Sequence, residues 1–322
     1  RASDLSALLD SMGQGIQTIK AANEGIESIT EFVQQAKSVA NQARDEANKV
    51  ASSSGMYDST KIEAATKFQL SVTYNGETKS VEVTAPKAAA TGVEMAAKIQ
   101  EELEKLTFGT PATALGGDVF EVTYEDDAFK MTSANGEEAK ISFEVGGAKM
   151  DATAGNANRV KAISQFNDIL DQIDQLAKDS GYKGVNLLGG TDQSLTVIFN
   201  EDRSSNLTIQ GVDASTKGLD ISRVTNWGSN TNIDASIEEV EDAINELRNM
   251  ASEFGNNYSI VQNREDFTEN LINVLEEGSD KLVLADMNEE SANMLALQTR
   301  QQLGVNSLSL ASQAAQAVLK LF

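Results

Sequence analysis

The chain has no cysteine and no histidine in its 322 residues, and only two prolines, Pro86 and Pro111. Without thiols or imidazoles there is no disulfide, no thiolate nucleophile, no imidazole-based triad and no Cys/His zinc site. Lack of cysteine does not fix a compartment, but export to an oxidising space carries no pairing hazard. Proline breaks helix interiors by removing a hydrogen bond and clashing with the preceding turn. Outside residues 86–111, therefore, long uninterrupted helices are open to the chain. Aromatic residues make up 5%, and Trp227 is the single tryptophan. Basic residues are scarce beside acidic ones, 26 against 49, for a formal net charge of −23. Nucleic-acid backbones demand clustered Lys and Arg, so that partner class is excluded. The excess of one sign keeps the surface soluble by self-repulsion.

Charge itself is missing from one place. Between Gln301 and Leu319 no side chain is charged, and the sequence ends at Phe322. A membrane-spanning helix needs about 20 predominantly apolar residues. This stretch holds Gln301, Gln302, Asn306, Ser307, Ser309, Ser312, Gln313 and Gln316, which argues against membrane insertion. An interfacial helix carries a cationic face, and here only Arg300 and Lys320 flank the run. The remaining partner is protein. A Leu-rich stripe with Ala, Ser and Gln on the other face suits a helix packed among copies of itself.

What is present reads as helix at both ends and strand between. Leu5, Leu8/Leu9, Met12, Ile16, Ile19, Ala22, Ile26, Ile29, Val33, Ala36, Val39/Ala40 and Ala43 recur every three or four residues. That spacing predicts a helix from residue 1 to about 54, long enough for coiled-coil packing, with Gly55 of "ASSSG" as its C-cap. The opening has no Met and no N-cap, which suggests a start further upstream. Residues 68–85 alternate around Asn75-Gly76, a hairpin signal. Val93–Leu106 returns to helical spacing, and residues 118–147 read as strand with Asn135-Gly136 as a second hairpin turn. Residues 68–150 thus form a β-α-β-β insert with 7 Lys/Arg against 14 Asp/Glu, a net of −7.

Helix resumes near Ala157 with Val160, Ile163, Phe166, Ile169/Leu170, Ile173 and Leu176/Ala177 on one face. Strands are expected at 194–200, 206–212 and 218–222. The last third is helical through Ile237, Val240, Ile244, Leu247, Ala251, Ile260, Phe267, Leu271, Val274/Leu275 and Leu282, with a short break at "GNN" (255–257). At about two domains for this length, the expected class is α+β, mainly α. A long antiparallel coiled-coil-like rod is built from both chain ends, with β-hairpins and the inserted domain. The expected divisions are a rod helix at 1–55, the insert at 68–150, the rest of the rod at 156–284 and a terminal helix at 285–322.

Four stretches carry a family resemblance. They are the terminal "ANMLALQTRQQLGVNSLSLASQAAQAVLKLF", the "SGYKGVNLLGG" of 180–190, the run from "NNYSIVQNREDF" to "ADMNEESA", and the opening "SMGQGIQTIKAANEGIESITEFVQQAKSVANQA". Together they resemble bacterial flagellin over about two-thirds of the chain, with wording similar to alphaproteobacterial members. The resemblance implies a structural, non-enzymatic subunit of the extracellular flagellar filament. It would need no cofactor and would be exported by the flagellar secretion apparatus without a cleaved signal peptide. Its partners would be other copies of itself, an export chaperone and the filament cap.

The resemblance also assigns Leu295, Arg300, Leu303, Leu308, Leu310, Val318, Leu321 and Phe322 to the inner-tube interface. It places Arg1 inside the first rod helix, so the family's N-terminal inner-tube helix would lie upstream. The insert sits early compared with the family's usual outer domains. Where many members carry an Arg-Glu-Leu sequence read by the vertebrate innate-immune flagellin receptor, Val33 here is followed by Gln34, Gln35 and Ala36. The same resemblance admits a hook–filament junction protein, or a subunit whose insert also serves adhesion or glycan binding. Members with a metalloprotease in the outer domain carry paired histidines, which this chain lacks.

The remaining features favour plain readings. Glu125, Asp126 and Asp127, and Glu101, Glu102 and Glu104, lack metal-loop spacing and read as solvated faces. The sequons at Asn206 and Asn257 read as chance. Phe129, Met131 and Met150 fall at alternating strand positions and read as the insert's core. Gly13, Gly15 and Gly25 weaken an isolated helix and are read as points of close helix approach. Arg300 reads either as a register-fixing charge or as the edge of the buried tail.

Overall fold

The computed structural model describes residues 2–109, 113–115, 119–283 and 287–319. The chain is α+β and mainly α. Its contacts divide it into two units. One holds residues 15–196 and 208–259, the other residues 1–14, 197–207 and 260–322.

Three helices frame the larger unit. They are α1 (Ala2–Asp45), α3 (Ala157–Asp179) and α4 (Asn230–Val283), of which α1 and α4 also run into the smaller unit. Here α1 buries Ile16, Ile19, Ala22, Ile26, Ile29, Val33, Ala36, Ala40 and Ala43, the 3–4 spacing that puts one face inward. Lys37 pairs with Glu241 and Arg44 with Asp234, each at 2.8 Å. Rising numbers on α1 thus meet falling numbers on α4, so the two run antiparallel. The pairs are half exposed and contribute little to stability. They do mark the register.

Helix α3 also runs antiparallel to α1. Gly25 of α1 lies beside Ser180 just past the end of α3, while Glu46 beyond α1 meets Arg159 at its start. Asn156 caps α3 by accepting from the Asn158 amide. At the far end, the "SGYKGVNLLGG" stretch closes the helix. Asn186 donates to the carbonyls of Ala177 and Lys178, and Lys183-Gly184 turn with positive φ so that Tyr182 and Val185 pair. Leu187 and Leu188 are then buried.

The first helix ends at Asp45, short of the expected end near residue 54. The "ASSSG" segment supplies strand β1 (Ala51–Ser52) instead, and Gly55 caps no helix. With φ at +81° its Cα sits against the Gly147 carbonyl, 2.6 Å from where a Cβ would lie. Helix α4 runs unbroken through Gly255-Asn256-Asn257, because one glycine costs only about 1 kcal/mol in a helix held by packing on both sides. Residues 218–222, expected as strand, form turns, and Asp220 adopts φ +54°. The remaining strands β10 (Ser194–Ile198) and β11 (Asn206–Gln210) make a two-stranded sheet, numbered after those of the insert.

Between α1 and α3, the insert is richer than a β-α-β-β unit. Its elements are β2 (Lys67–Tyr74), β3 (Glu77–Thr84), α2 (Gly92–Glu104), the short β4 (Thr107–Phe108) and β5 (Thr113–Ala114), β6 (Phe120–Glu125), β7 (Ala128–Ser133), β8 (Ala139–Val145) and β9 (Ala148–Ala154). Sheet order is β3-β2-β8-β9 in one sheet and β1-β7-β6 in another. Three hairpins use two-residue turns with both central residues at positive φ: Asn75-Gly76, Asp126-Asp127 and Gly146-Gly147.

Asn135-Gly136 is not a hairpin turn. It carries the chain from β7 to β8, which lie in different sheets, and Asn135 accepts from Ser133 Oγ and the Glu137 amide. The acidic pair at 126–127, read as a solvated face, is the turn that Asn135-Gly136 was expected to make. Aspartate tolerates the left-handed region because its short polar side chain bonds locally.

Helix α2 starts with a full capping box between Thr91 and Glu94 and buries Met95, Ala96, Ile99 and Leu103 against the strands. Gln100 shields the β6 edge. Its amide accepts from Val122 N at 2.9 Å and donates to the Phe120 carbonyl at 3.1 Å, as a neighbouring strand would. Phe129, Met131 and Met150 are fully buried as expected, with Tyr57 stacked edge-on to Phe129 at 5.3 Å.

Candidate assembly interface

Of the residues assigned to the interface, Leu295, Arg300, Leu303, Leu308, Leu310 and Val318 lie on α5 (Met287–Leu319). Its sequence favours helix throughout: Glu289 and Glu290 sit in the first turn, no proline interrupts, and Leu, Ala, Met and Gln dominate. Packing does not account for it. Every side chain described from Met287 to Ala317 is exposed. Leu308 is 75% exposed and Leu295 67%, with Leu303 and Leu310 close behind. The side chain of Val318, and all of Leu321 and Phe322, lie outside the described residues.

The large apolar side chains form a wide band, not one narrow stripe. At about 100° per residue, Met294, Leu297, Val305 and Leu308 fall on one side of α5 and Leu303 and Leu310 on the opposite side. Leu295 lies between them. Around Leu295 the helix carries Gln298, Gln302, Asn306, Ser309, Gln313 and Gln316, and most of the rest of its surface presents the large apolar side chains. Each of these side chains gains roughly 1.5–3 kcal/mol when fully buried. Arg300 is exposed on the same helix, without an ion-pair partner among the described residues. Leu297 and Val305 were not singled out from sequence, although their angular positions carry the signal.

In the same unit, the α4 segment from Ile260 onward leaves a second apolar set exposed. Val261, Thr268 and Ile272 are buried, whereas Ile260, Phe267, Val274 and Leu282 face solvent, Phe267 at 58%. The sequence stripe was therefore read one position out of phase here. The buried side is covered by neighbours within the unit. Arg264 lies 5.3 Å from the Phe199 ring centre, and a Cβ on Gly13 would sit 3.6 Å from the Glu265 carboxylate. Burial raises the Glu265 carboxyl above its ordinary range, and the neighbouring charges of Asp266 and Glu269 add to the effect.

The innate-receptor positions split by face. Val33 and Ala36 are fully buried, while Gln34 and Gln35 are both exposed. Gln34 lines a groove of about 590 Å³ between α1 and α4, together with Ile26, Thr30, Leu247, Arg248 and Ala251. Gly25 lies on α1 against the segment just past α3: a Cβ there would fall 2.4 Å from Ser180 Oγ and 2.7 Å from Leu188 Cδ1. Glu101 and Glu102 are held by Lys98 and Lys105 as a surface network. Among the described residues no group of acidic side chains is arranged to hold a metal ion, and no helix is long and apolar enough to cross a membrane.

Residues 237–322, which contain all of α5 and most of α4, match the sequence profile of the bacterial flagellin C-terminal helical region. That C-terminal region is similar to the bacterial flagellins. A flagellin of Brucella melitensis is 31% identical over 180 residues, covering 52% of this chain and 64% of its own length. Flagellin FljK of Caulobacter vibrioides is 29% identical over 175 residues, covering 54% and 64%. Flagellin C of Rhizobium meliloti is 43% identical over 86 residues, 27% of each chain. The chain thus spans just under two thirds of the length of the Brucella and Caulobacter relatives that it matches. Its exposed apolar helix lies within the region that matches the family profile.

Proposed function

We propose that this chain is a flagellin, a structural subunit that polymerises through its helical ends into the extracellular flagellar filament for swimming. The observation that supports this most is α5, a helix with large apolar side chains on opposite sides, charge-free from Gln301 to Leu319 and exposed along its described side chains in the single chain. Such a helix is incomplete until neighbours enclose it, and copies of the same helix offer Ala, Ser and Gln for close approach. In this reading α5 joins the inner tube, and α1, α3 and α4 form the antiparallel rod. Residues 285–322 act as the inner-tube segment, and the insert of 68–150 faces outward.

Leu295, Leu303, Leu308, Leu310, Val318, Leu321 and Phe322 are the proposed inner-tube contacts, and Arg300 sets the register beside them. The subunit has no catalytic role. It leaves the cell through the flagellar secretion apparatus without a cleaved leader, and meets an export chaperone and the filament cap on the way. The insert's aromatic residues Phe68, Tyr74, Phe108, Phe120, Phe129 and Phe143 are buried in its core, which favours a structural over a glycan-stacking role.

The test is seeded assembly. This chain, and a version extended to the full length of its relatives, are added to sheared filament ends and imaged by electron microscopy. Growth by either one fits a shaft subunit. Failure of both, with binding confined to one end of hooks or filaments, would point to a junction protein instead.

A further inference from the structure

The insert is joined to the helices by more than its two covalent connections, and the extra contacts converge on one buried cation. Arg159, in the first turn of α3, is 2% exposed. Its Nε donates to the Glu46 carbonyl at 2.7 Å, just past the end of α1. Its Nη1 donates to the carbonyls of Trp227 and Gly228 at 3.1 and 3.2 Å, and its Nη2 to Asn230 Oδ1 at 2.6 Å. One planar guanidinium thus holds the end of α1, the start of α3 and the start of α4 together. Its directed partners are all neutral oxygens, which a rigid fork with several donors can satisfy and a lysine cannot.

The insert rests on the same carbonyl cluster. Asn48 donates both to the Gly228 carbonyl at 2.7 Å and to the Ser133 carbonyl at the end of β7, at 3.0 Å. The Gly136 carbonyl accepts from the Asn156 amide at 2.8 Å. At Gly228 a Cβ would fall 1.9 Å from the Ala134 carbonyl oxygen, and at Gly155 one would fall 1.7 Å from that of Glu137. Backbone of the 133–137 crossing is therefore seated directly on the 227–228 segment and on the strand leaving the insert.

We infer that Arg159 is a positioning residue that locks the insert at a fixed angle to the helices by ordering the 46–48 and 227–230 segments on which the insert sits. The lock is a property of the single chain and goes beyond the filament reading, since it holds whether or not the chain polymerises. A two-strand tether alone would let the insert swing. The third point of support, from residues 133–136 onto Gly228, removes that freedom, and the guanidinium holds its seat in place.

The absence of cysteine makes the test clean. Spin labels are placed on the full chain at Thr78→Cys on β3 and Gln42→Cys on α1, both exposed, and their separation is measured by double electron–electron resonance. The parent should give a single narrow distance distribution. Arg159→Met and Arg159→Lys should both lose it to a broad one, while the thermal midpoint of the insert and the helical circular dichroism are kept. Gly228→Ala, which drives the Ala134 carbonyl off its seat, should broaden it in the same way with Arg159 intact. An unchanged narrow distribution in the Arg159 variants would overturn the inference. So would collapse of helical signal in both Arg159 variants, with Trp227 emission shifting to solvent-exposed wavelengths, because Arg159 would then be needed for folding and not for orientation.

Discussion

Two glycine-to-alanine changes, chemically identical and both within helices, should move stability in opposite directions. At Gly255, in the middle of α4, a new Cβ meets nothing within 4 Å. Alanine there simply gains helix propensity, so Gly255→Ala should stabilise by about 1 kcal/mol. At Gly25 the same propensity gain is set against a Cβ placed 2.4 Å from Ser180 Oγ, 2.7 Å from Leu188 Cδ1 and 2.8 Å from Ser180 Cβ. The Leu188 methyl can rotate away. The Ser180 contacts involve a side chain anchored by its bond to the Leu176 carbonyl at 2.6 Å, so α1 and the end of α3 must separate. Overpacking of that kind costs about 1–3 kcal/mol.

After the propensity gain, Gly25→Ala should come out destabilising by up to about 2 kcal/mol. The difference between the two variants should then be about 1–3 kcal/mol. Urea denaturation followed by circular dichroism measures both. Adding Ser180→Gly to Gly25→Ala removes both offending atoms and should recover part of the loss, a coupling of about 1 kcal/mol between touching residues. If Gly25→Ala raised the midpoint as much as Gly255→Ala, the close packing of α1 against the end of α3 would be refuted.

Three further outcomes are expected. Leu308→Asp should leave the stability of the single chain within about 0.5 kcal/mol, because the side chain is already in water, yet abolish growth on filament seeds seen by electron microscopy. Glu265 has a folded-state pKa raised above its unfolded value, so its contribution to stability falls as pH rises through that pKa and returns as pH falls toward the ordinary glutamate range. Glu265→Gln should therefore raise the thermal midpoint at neutral pH and lose that advantage below the ordinary glutamate range. A reporter line for the vertebrate flagellin receptor should respond weakly or not at all, because Gln34 and Gln35 offer no guanidinium on the outward side of α1. Strong activation would remove that expectation.

Much of the helical content was legible because periodicity is a local signal. The 3–4 spacing of Ile16 to Ala43 and the Asn156-led start of α3 follow from residues within a few turns of one another. Where the reading failed, the deciding contact was distant. "ASSSG" looks like a helix stop, but Ala51 and Ser52 pair with Met131 and Lys130, some eighty residues on. Asn135-Gly136 has the composition of a hairpin turn, and only the division of β7 and β8 between sheets rules it out. Asp126-Asp127 lacks glycine and so gave no turn signal, although aspartate accepts the same backbone region.

The proposed assembly surface was legible in part. Freedom from charge marks the tail directly, but the large apolar residues of α5 fall on opposite sides of the helix and so give no single stripe. On α4 the apolar positions run in adjacent pairs such as Ile260-Val261 and Leu271-Ile272, so sequence alone leaves the inward member ambiguous. Arg159 carried no sequence signal, because an arginine in a helix's first turn looks ordinary until its acceptors arrive from residues 46 and 227–230.

The most direct measurement is amide hydrogen exchange across residues 287–319, for the single chain and for the chain incorporated with flagellin into filaments. The account predicts fast exchange along α5 in the single chain, where neighbours do not enclose it, and strong protection over all its turns in the filament. If α5 exchanged as fast in the filament as in the single chain, burial of this helix by copies of the subunit would be contradicted.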